Sequence, residues 1–455
     1  MNIALLAMSG IRACDQELVE LGLTLPGFVE RSKQIAALPS LGLLLLAAYT
    51  PDGHDVAYFE VEGDGAEPDE IYDFDLVAIS TFTAQAFEAY AIADRLRARG
   101  VTVAIGGLHA TAMPDEAFEH ADHVCVGEGE HVWPEIVRAV EAGAPQRIWD
   151  ARGFGTVDVS KLRVPRYDLL GDRPYNRYTV QTTRGCPWRC EFCASTVMLG
   201  LPYRKRPVAD VVRDIHAIRA HAPGAFLEFA DDNTFVDKAW SRELLRALEP
   251  LDVHWFTETD ISVADDPELL DLMARSGCRQ VLVGLESPRP AALRGIELHR
   301  DFKAARGRDY EAAIRRIQEH GVTVNGCFVL GLDEDGPDVF DEIREFADRV
   351  GLYEVQITVM TAFPGTPLYR RLEREGRLLA PGEWQRCTLF DVGVRPKRMS
   401  PERLREGLFQ LTRELYEPDA VRRRRAVFFA GRRSRLVKRS AKSTSSPPSS
   451  SSQAS

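Results

Sequence analysis

The stretch Tyr178-Thr179-Val180-Gln181-Thr182-Thr183-Arg184-Gly185-Cys186-Pro187-Trp188-Arg189-Cys190-Glu191-Phe192-Cys193 places a strand-like run directly before a C-x3-C-x2-C loop. Thiolates are soft ligands that select zinc, copper(I) or iron–sulfur clusters, and zinc and a cubane cluster both ordinarily take four protein donors. The three cysteines therefore leave one metal corner for another ligand. No histidine stands between His131 and His216, so a closed zinc site would need a distant fourth donor. Unrelated core cysteines are rarely clustered in this way.

Beyond this loop the chain alternates strands and helices. Strand-like runs fall at Tyr178 to Thr183, Ala225 to Ala230, Val253 to Thr257, Gln280 to Gly284, Val322 to Leu330 and Tyr353 to Met360. Helical patterns such as Pro207 to Ala220, Pro267 to Ser276, Tyr310 to His320 and Val339 to Val350 separate them. The repeat predicts a partial parallel (β/α)6 barrel over residues 178–375, with functional groups at the carboxyl ends of its strands. Residues 1–145 alternate likewise, with strands at Met1 to Met8, Asp55 to Val61, Asp75 to Ser80, Val101 to Ile105 and His123 to Val126, and helices at Pro39 to Tyr49, Ala84 to Arg99 and onward from Val132. That pattern predicts a doubly wound, Rossmann-like α/β domain. Its strand ends carry Ser80-Thr81, Gly106-Gly107 and Gly127-Glu128-Gly129, where ligands of such sheets bind, although glycine-terminated strands are also ordinary turn chemistry.

Residues 146–177, with Pro165, Pro174 and several charges, read as a linker. Residues 376–432 read as a small helical cap, led by Pro401 to Leu415 at helical spacing. Residues 433–455 read as a basic, serine-rich, disordered tail. Arg422 to Arg425, Arg432, Arg433, Arg435, Lys438 and Arg439 surround Val427-Phe428-Phe429, so this stretch is either a solvated tail or a contact for an anionic membrane surface or nucleic acid.

The 455 residues suffice for about three domains. The longest apolar run, Leu41 to Tyr49, is about nine residues against the ~20 needed to span a bilayer. The N-terminus lacks the features of a secretory signal. Five further cysteines, Cys14, Cys125, Cys278, Cys327 and Cys387, are scattered singly, as in a reducing cytoplasm. A net charge of −11 argues against wholesale nucleic-acid binding.

The cysteine loop, with the aromatic Phe192 before its last thiol, resembles that of the radical S-adenosylmethionine (SAM) enzymes. The resemblance implies a [4Fe-4S] cluster held by Cys186, Cys190 and Cys193, whose open iron binds the amino and carboxylate groups of SAM. It also implies the six-unit barrel. The first domain, with its Gly-Gly-Leu-His and Gly-Glu-Gly-Glu turns, resembles the cobalamin-binding domain that precedes many radical SAM methylases. A D-x-H-x-x-G histidine motif is absent after the first strand, and the nearest string, Asp52-Gly53-His54-Asp55-Val56-Ala57, reads as a turn, so the resemblance implies cobalamin without a lower histidine ligand.

By the same resemblance, Asp231 and Asp232 bind the methionine ammonium, although Asp-Asp-Asn is also a good helix N-cap. Glu286 and Ser287 contact the ribose, with Ser287 equally suited to cap the next helix. Cys327 to Glu334 resembles the family's G-x-I-x-G-x-x-E pattern with cysteine at the first glycine, and Gly331 lets the backbone approach adenine. Thr361 to Pro367 closes over the adenosine side or simply ends a strand. Cys327 reads as core filler, Arg204 and Arg206 as charged surface, and Cys387 as a thiol of no special reactivity.

The expected activity is methyl transfer from methylcobalamin to an unactivated carbon, opened by a 5′-deoxyadenosyl radical. The substrate expected is a small molecule, a lipid or a natural-product scaffold, and an external reductant supplies the electron. Radical oxidoreductases or cyclases share this two-domain arrangement, and a non-catalytic cluster- or cobalamin-binding protein is the alternative of another class.

Overall fold

A computed structural model describes residues 1–8, 10, 13–20, 38–61, 66–195 and 202–444. The first unit is a parallel six-stranded sheet in the order β2-β1-β3-β4-β5-β6. Its strands are β1 (Asn2–Ala7), β2 (Asp55–Glu60), β3 (Leu76–Ser80), β4 (Thr102–Gly106), β5 (His123–Val126) and β6 (Arg147–Asp150). Alternation of side chains splits β1 between two cores: Ile3 and Leu5 pack with α1 (Leu41–Tyr49), and Ala4 and Leu6 pack with α2 (Ala86–Ala98), while α3 (Trp133–Glu141) joins the first of these cores. Burial on both faces is why these strands read as continuous apolar runs. The strand order reverses between β1 and β3, which puts a ligand crevice at their carboxyl ends. β6 corrects the sequence reading, which gave these residues to the linker: it pairs in parallel with β5 and extends the domain to Asp150. Single 3-10 turns then carry the chain to the second unit, where the Tyr167 hydroxyl donates to the Thr179 carbonyl at 2.9 Å.

The second unit is an open parallel sheet of six strands in simple sequence order: β7 (Tyr178–Val180), β10 (Phe226–Phe229), β11 (His254–Thr259), β12 (Cys278–Glu286), β13 (Thr323–Leu330) and β14 (Glu354–Val359). The partial barrel is as expected. Its outer layer includes α4 (Val208–His221), α5 (Lys238–Leu248), α6 (Pro267–Arg275), α7 (Tyr310–Glu319) and α8 (Val339–Val350). Between β7 and β10 a two-stranded antiparallel ribbon, β8 (Thr183–Arg184) with β9 (Arg204–Lys205), carries the cysteine loop.

The helical C-terminal end comprises α9 (Pro367–Arg374), α10 (Pro401–Tyr416) and α11 (Pro418–Thr444). It packs on the outer helices α7 and α8, where a Cβ on Gly407 would lie 2.0 Å from the Phe340 ring, so only glycine lets α10 approach α8. Helix α11 runs past residue 433, where a disordered tail was expected, to Thr444; residues 445–455 lie outside the described residues. Phe428 and Phe429 meet Tyr353 just before β14, so the basic helix lies at the amino ends of the strands, away from the cysteine loop.

Between α9 and α10 the chain returns to the first domain. Trp384 and Cys387 join the first domain's core, and the Trp384 indole donates to Glu116 at 3.0 Å. Asp391 accepts the backbone N–H groups of Cys14 (2.8 Å) and Asp15 (2.9 Å), in the segment after β1. Cys387 is therefore interface filler, its thiol pushed up to about 12 by burial.

Candidate active site

Each element of the cysteine loop is tied to a neighbouring strand end. Asp231, after β10, accepts the N–H groups of Thr182 (2.8 Å) and Thr183 (2.9 Å) on one oxygen and the hydroxyls of Thr182 and Thr234 on the other. Burial pushes its carboxyl up, although these hydrogen bonds pull the other way. Asp231 is thus a strut beneath the loop, a correction to the ammonium-binding role implied for it. Asp232 remains half-buried at the rim and accepts the Gly185 N–H at 3.0 Å. Asn233 reaches toward the Cys186 sulfur at 3.9 Å and donates to Asp260 at 2.8 Å; the Trp188 indole donates to the same Asp260 oxygen at 3.1 Å. Trp188 stacks on Phe302 with ring centroids 3.9 Å apart, and Phe192 packs against the core.

Cys186, Cys190 and Cys193 are all half-buried and none forms a disulfide; the Cys193 sulfur meets the Ser195 hydroxyl at 3.1 Å. Burial raises the Cys186 thiol to about 11 and that of Cys190 to about 12, and the neighbouring thiols add to both shifts. The three are therefore grouped closely enough to interact electrostatically. Among the described residues no three His, Cys, Asp or Glu side chains converge on a single ion. Three grouped thiols with one donor wanting suit a cubane iron–sulfur cluster that leaves one corner to another ligand.

At the end of β12, Glu286 adopts φ +62°, a strained conformation for a residue with a side chain. Its carboxylate pairs with Lys303 at 2.8 Å, and Lys303 also donates to the Gly284 carbonyl at 2.6 Å. Lys303 lies near Cys190 and lowers its thiol, opposing burial. Ser287 is buried and its hydroxyl accepts the Arg289 N–H at 3.2 Å within a turn; no helix begins there, so the capping alternative does not hold. Gly331 turns the chain at φ +88°, its N–H on Asp335 at 3.0 Å. Lys303, Asn233 and Asp260 were missed because only the fold brings them to the loop.

The strand ends of the first domain also converge. Thr81 N–H donates to the Gly106 carbonyl, and the Thr111 hydroxyl joins two turns by donating to the Gly107 carbonyl (2.8 Å) and accepting the Gly127 N–H (3.0 Å). Gly107 sits at φ +100°, and a Cβ there would lie 2.7 Å from the Thr81 carbonyl oxygen. Ser80, Gly106, Gly107, Gly127 and Gly129 are half-buried, so their backbone reaches the rim. Beside it the buried Thr83 hydroxyl has no protein partner, and Phe82 is 56% exposed. A crevice with bare backbone, an unpaired hydroxyl and an exposed aromatic fits a large amphipathic cofactor.

Glu128 corrects the sequence reading in another way. Its carboxylate is engaged by Arg184 at 2.8 Å and bidentately by Arg204 at 2.8 and 2.9 Å, while Arg184 also pairs with Glu130 at 2.6 Å. Burial disfavours its charge, but the two guanidiniums outweigh this and hold its carboxyl below the usual range. Arg204 therefore binds a carboxylate of this chain. Arg206 is likewise no surface charge: it is buried against Asp214 at 2.6 Å.

Ala230 and Glu258 lie on the lumen face of β10 and β11, yet both are exposed. Burial all the same raises the Glu258 carboxyl to about 7, with Glu228, Asp232 and Asp231 adding to the shift. The side chain is thus open to water while protein and like charges lie close around it. Leu282 and Cys327 face the same lumen by strand register, so Cys327 is a wall residue.

Comparison with known proteins accords with both halves. Residues 180–347 match the Radical SAM superfamily, residues 36–137 the B12 binding domain, and residues 366–451 a domain of unknown function, DUF4070. The chain is 28% identical to bacteriochlorophyllide d C-12(1)-methyltransferase of Chlorobaculum tepidum over 84% of each chain. It is 30% identical to an uncharacterized methyltransferase of Synechocystis sp., covering 84% of this chain and 71% of that one. Hopanoid C-2 methylase of Rhodopseudomonas palustris is 27% identical over 76% of this chain and 66% of its own. The solved radical SAM methyltransferase TsrM from Kitasatospora setae shares the fold with a TM-score of 0.64, at 17% identity, over 92% of this chain and 84% of that one. With three grouped thiols at the carboxyl ends of one sheet and a glycine-lined crevice on the other, the chain belongs to the radical SAM superfamily, among the members with an N-terminal B12-binding domain, and is an enzyme of the methyltransferase type using a [4Fe-4S] cluster, SAM and cobalamin.

Proposed function

We propose that this enzyme methylates an unactivated carbon of a rigid, largely apolar small molecule of the lipid or polycyclic natural-product kind. The observation that carries the reading is the direct meeting of the two cofactor-bearing ends: Arg184, two residues before Cys186, is ion-paired to the Gly127-Glu128-Gly129-Glu130 turn. When bound, the cluster and SAM supply a carbon radical and cobalamin supplies the methyl group. The protein's own residues position them. Cys186, Cys190 and Cys193 hold the cluster, Asp232 and the Glu286–Lys303 pair flank SAM, and the turns at Ser80, Gly106 and Gly127 hold cobalamin. The tetrapyrrole and hopanoid substrates named for the relatives support the substrate class. A cytoplasmic location and an external one-electron donor complete the proposal. Val427 and Phe429, exposed among the arginines of α11, support peripheral contact with an anionic membrane; no described helix is long and apolar enough to cross one.

The test is anaerobic turnover with methyl-labelled SAM over a panel of bacteriochlorophyllides and hopanoids. Methylated product with one equivalent each of 5′-deoxyadenosine and S-adenosylhomocysteine is expected. A desaturated or cyclised product with 5′-deoxyadenosine alone would replace methyl transfer by the oxidoreductase or cyclase alternative.

Glu258 gives the fold a pH signature. Because its folded carboxyl is raised to about 7, it is protonated below that value and ionised above it. Ionising it inside the barrel costs stability, so its contribution falls as pH rises from the ordinary carboxyl range through about 7. Thermal melts between pH 5 and about 8 should show the wild type losing more stability with rising pH than Glu258→Gln. Parallel profiles would remove the raised lumen carboxyl from the account.

A further inference from the structure

The ribbon that carries the cysteine loop contains an electrostatic conflict. In the two-residue antiparallel ladder of β8 and β9, Arg184 stands directly opposite Arg204. Directly opposed residues of such a ladder project to the same face, and like charges there repel. Both side chains are nearly buried, at 6% and 11% exposure, so water screens the repulsion little. Opposite them stands Glu128, one of whose oxygens lies 2.8 Å from each guanidinium. Glu130 takes the second Arg184 nitrogen at 2.6 Å, and the Gln181 amide oxygen accepts from the same nitrogen at 2.8 Å. Arg204 also donates to the Val157 carbonyl at 3.0 Å, in the segment after the first sheet. The ribbon can therefore close with its arginines face to face only when the turn after β5 presents its carboxylates.

That turn is also the rim of the cobalamin crevice. Glu128 lies between Gly127, whose N–H is held by Thr111, and Gly129, whose carbonyl accepts the N–H groups of Val132 (3.1 Å) and Trp133 (2.8 Å). With both flanks fixed, movement of the Glu128 carboxylate and movement of the rim are one displacement. On the other side, Gly185 follows Arg184 directly and is held by Asp232, and Cys186 comes next. A single carboxylate thus connects the backbone that receives one cofactor to the backbone that receives the other.

We propose that Glu128, acting through Arg184 and Arg204, is a positioning residue that couples cobalamin binding in the first domain to cluster occupancy in the second. This rests on the two-cofactor reading above. A filled cluster site fixes the ribbon, the ribbon fixes Glu128, and Glu128 sets the rim in its receptive form; filling the crevice favours the closed ribbon by the same contacts. Such coupling is reciprocal by thermodynamic necessity.

The experiment is an anaerobic absorbance titration of the full-length protein with hydroxocobalamin, once cluster-loaded and once stripped of iron by a chelator. The loaded wild type is expected to bind roughly 5- to 10-fold more tightly, at the lower end of ordinary coupling between sites. In Arg204→Met the ratio should collapse to about one, and Arg204→Lys, which restores charge without the bidentate fork, should recover part of it. Should Arg204→Met misfold, Glu128→Gln keeps the shape of the turn while removing the charge, and the same collapse is expected. A merely structural role would weaken both forms alike and leave the ratio intact, and that result, or equal affinities in the wild type, would overturn the coupling while leaving both cofactors in place. No hydroxocobalamin binding by either form would overturn the cofactor assignment itself.

Discussion

Cys190→Ser protein, reconstituted with iron and sulfide, should release no detectable 5′-deoxyadenosine from SAM under dithionite while still retaining hydroxocobalamin. The loop has three thiols and no spare, and a hydroxyl is a hard donor that does not replace a thiolate on iron. Losing an outer-shell partner of a metal ligand typically costs 10- to 100-fold in metal affinity or activity, so losing a ligand should exceed roughly 100-fold. Cys190 is the informative choice because its neighbourhood is fixed from outside: Glu191 donates its N–H to the Ile296 carbonyl at 2.8 Å and pairs with Arg371 at 2.7 Å. The loop should therefore hold its course without the sulfur. Retained cobalamin with absent cleavage separates the cluster's role from folding; appreciable cleavage would show that the thiol set is not the cluster's anchor.

The second large effect is expected at Gly107. Gly107→Ala forces a side chain into φ +100° and drives its Cβ to 2.7 Å from one backbone atom and 3.0 Å from another, both in Thr81. Strain of about 1–3 kcal/mol and overpacking of about 1–3 kcal/mol add to about 2–6 kcal/mol. For domains of this size each kcal/mol lowers the melting temperature by about 2–4 °C, so a drop of roughly 4–24 °C is expected, with cobalamin retention lost. Gly100→Ala is the control. Gly100 also has positive φ, +84°, but an added Cβ would meet nothing within 4 Å, so it should cost only about 1–2 kcal/mol and leave cobalamin bound. Equal effects at the two positions would mean that the close approach to Thr81 does not matter.

Much of this architecture was legible in the sequence because it rests on local regularities. Strands buried on both faces appear as apolar runs, and the thiol spacing lies within eight residues. What escaped was long-range or short-lived in sequence. β6 has four residues with charged ends, Arg147 and Asp150, and pairs only at a sheet edge, so it carries no apolar run. Asp231 and Asp232 are identical as letters; only the fold turns one inward onto Thr182 and leaves the other at the rim. Arg204 and Glu128 are 76 residues apart, and no periodicity links them. Glu258 lies one residue past the strand read at Val253 to Thr257, which in the structure runs on to Thr259, so that early boundary hid its place on the sheet.

The return of residues 384–391 to the first domain has a consequence for biosynthesis. A ribosome completes the first sheet at Asp150, but Trp384, whose indole seals Glu116, and Asp391, which holds the Cys14–Asp15 backbone, come far later in the chain. At about 5–20 residues per second the gap lasts roughly 10–50 s. Throughout that interval the nascent first domain lacks its plug, leaving an apolar seat open to chaperones or misassociation. Dissection at the interdomain connection recreates this unfinished state permanently, so the two halves are not interchangeable modules despite their separate sheets.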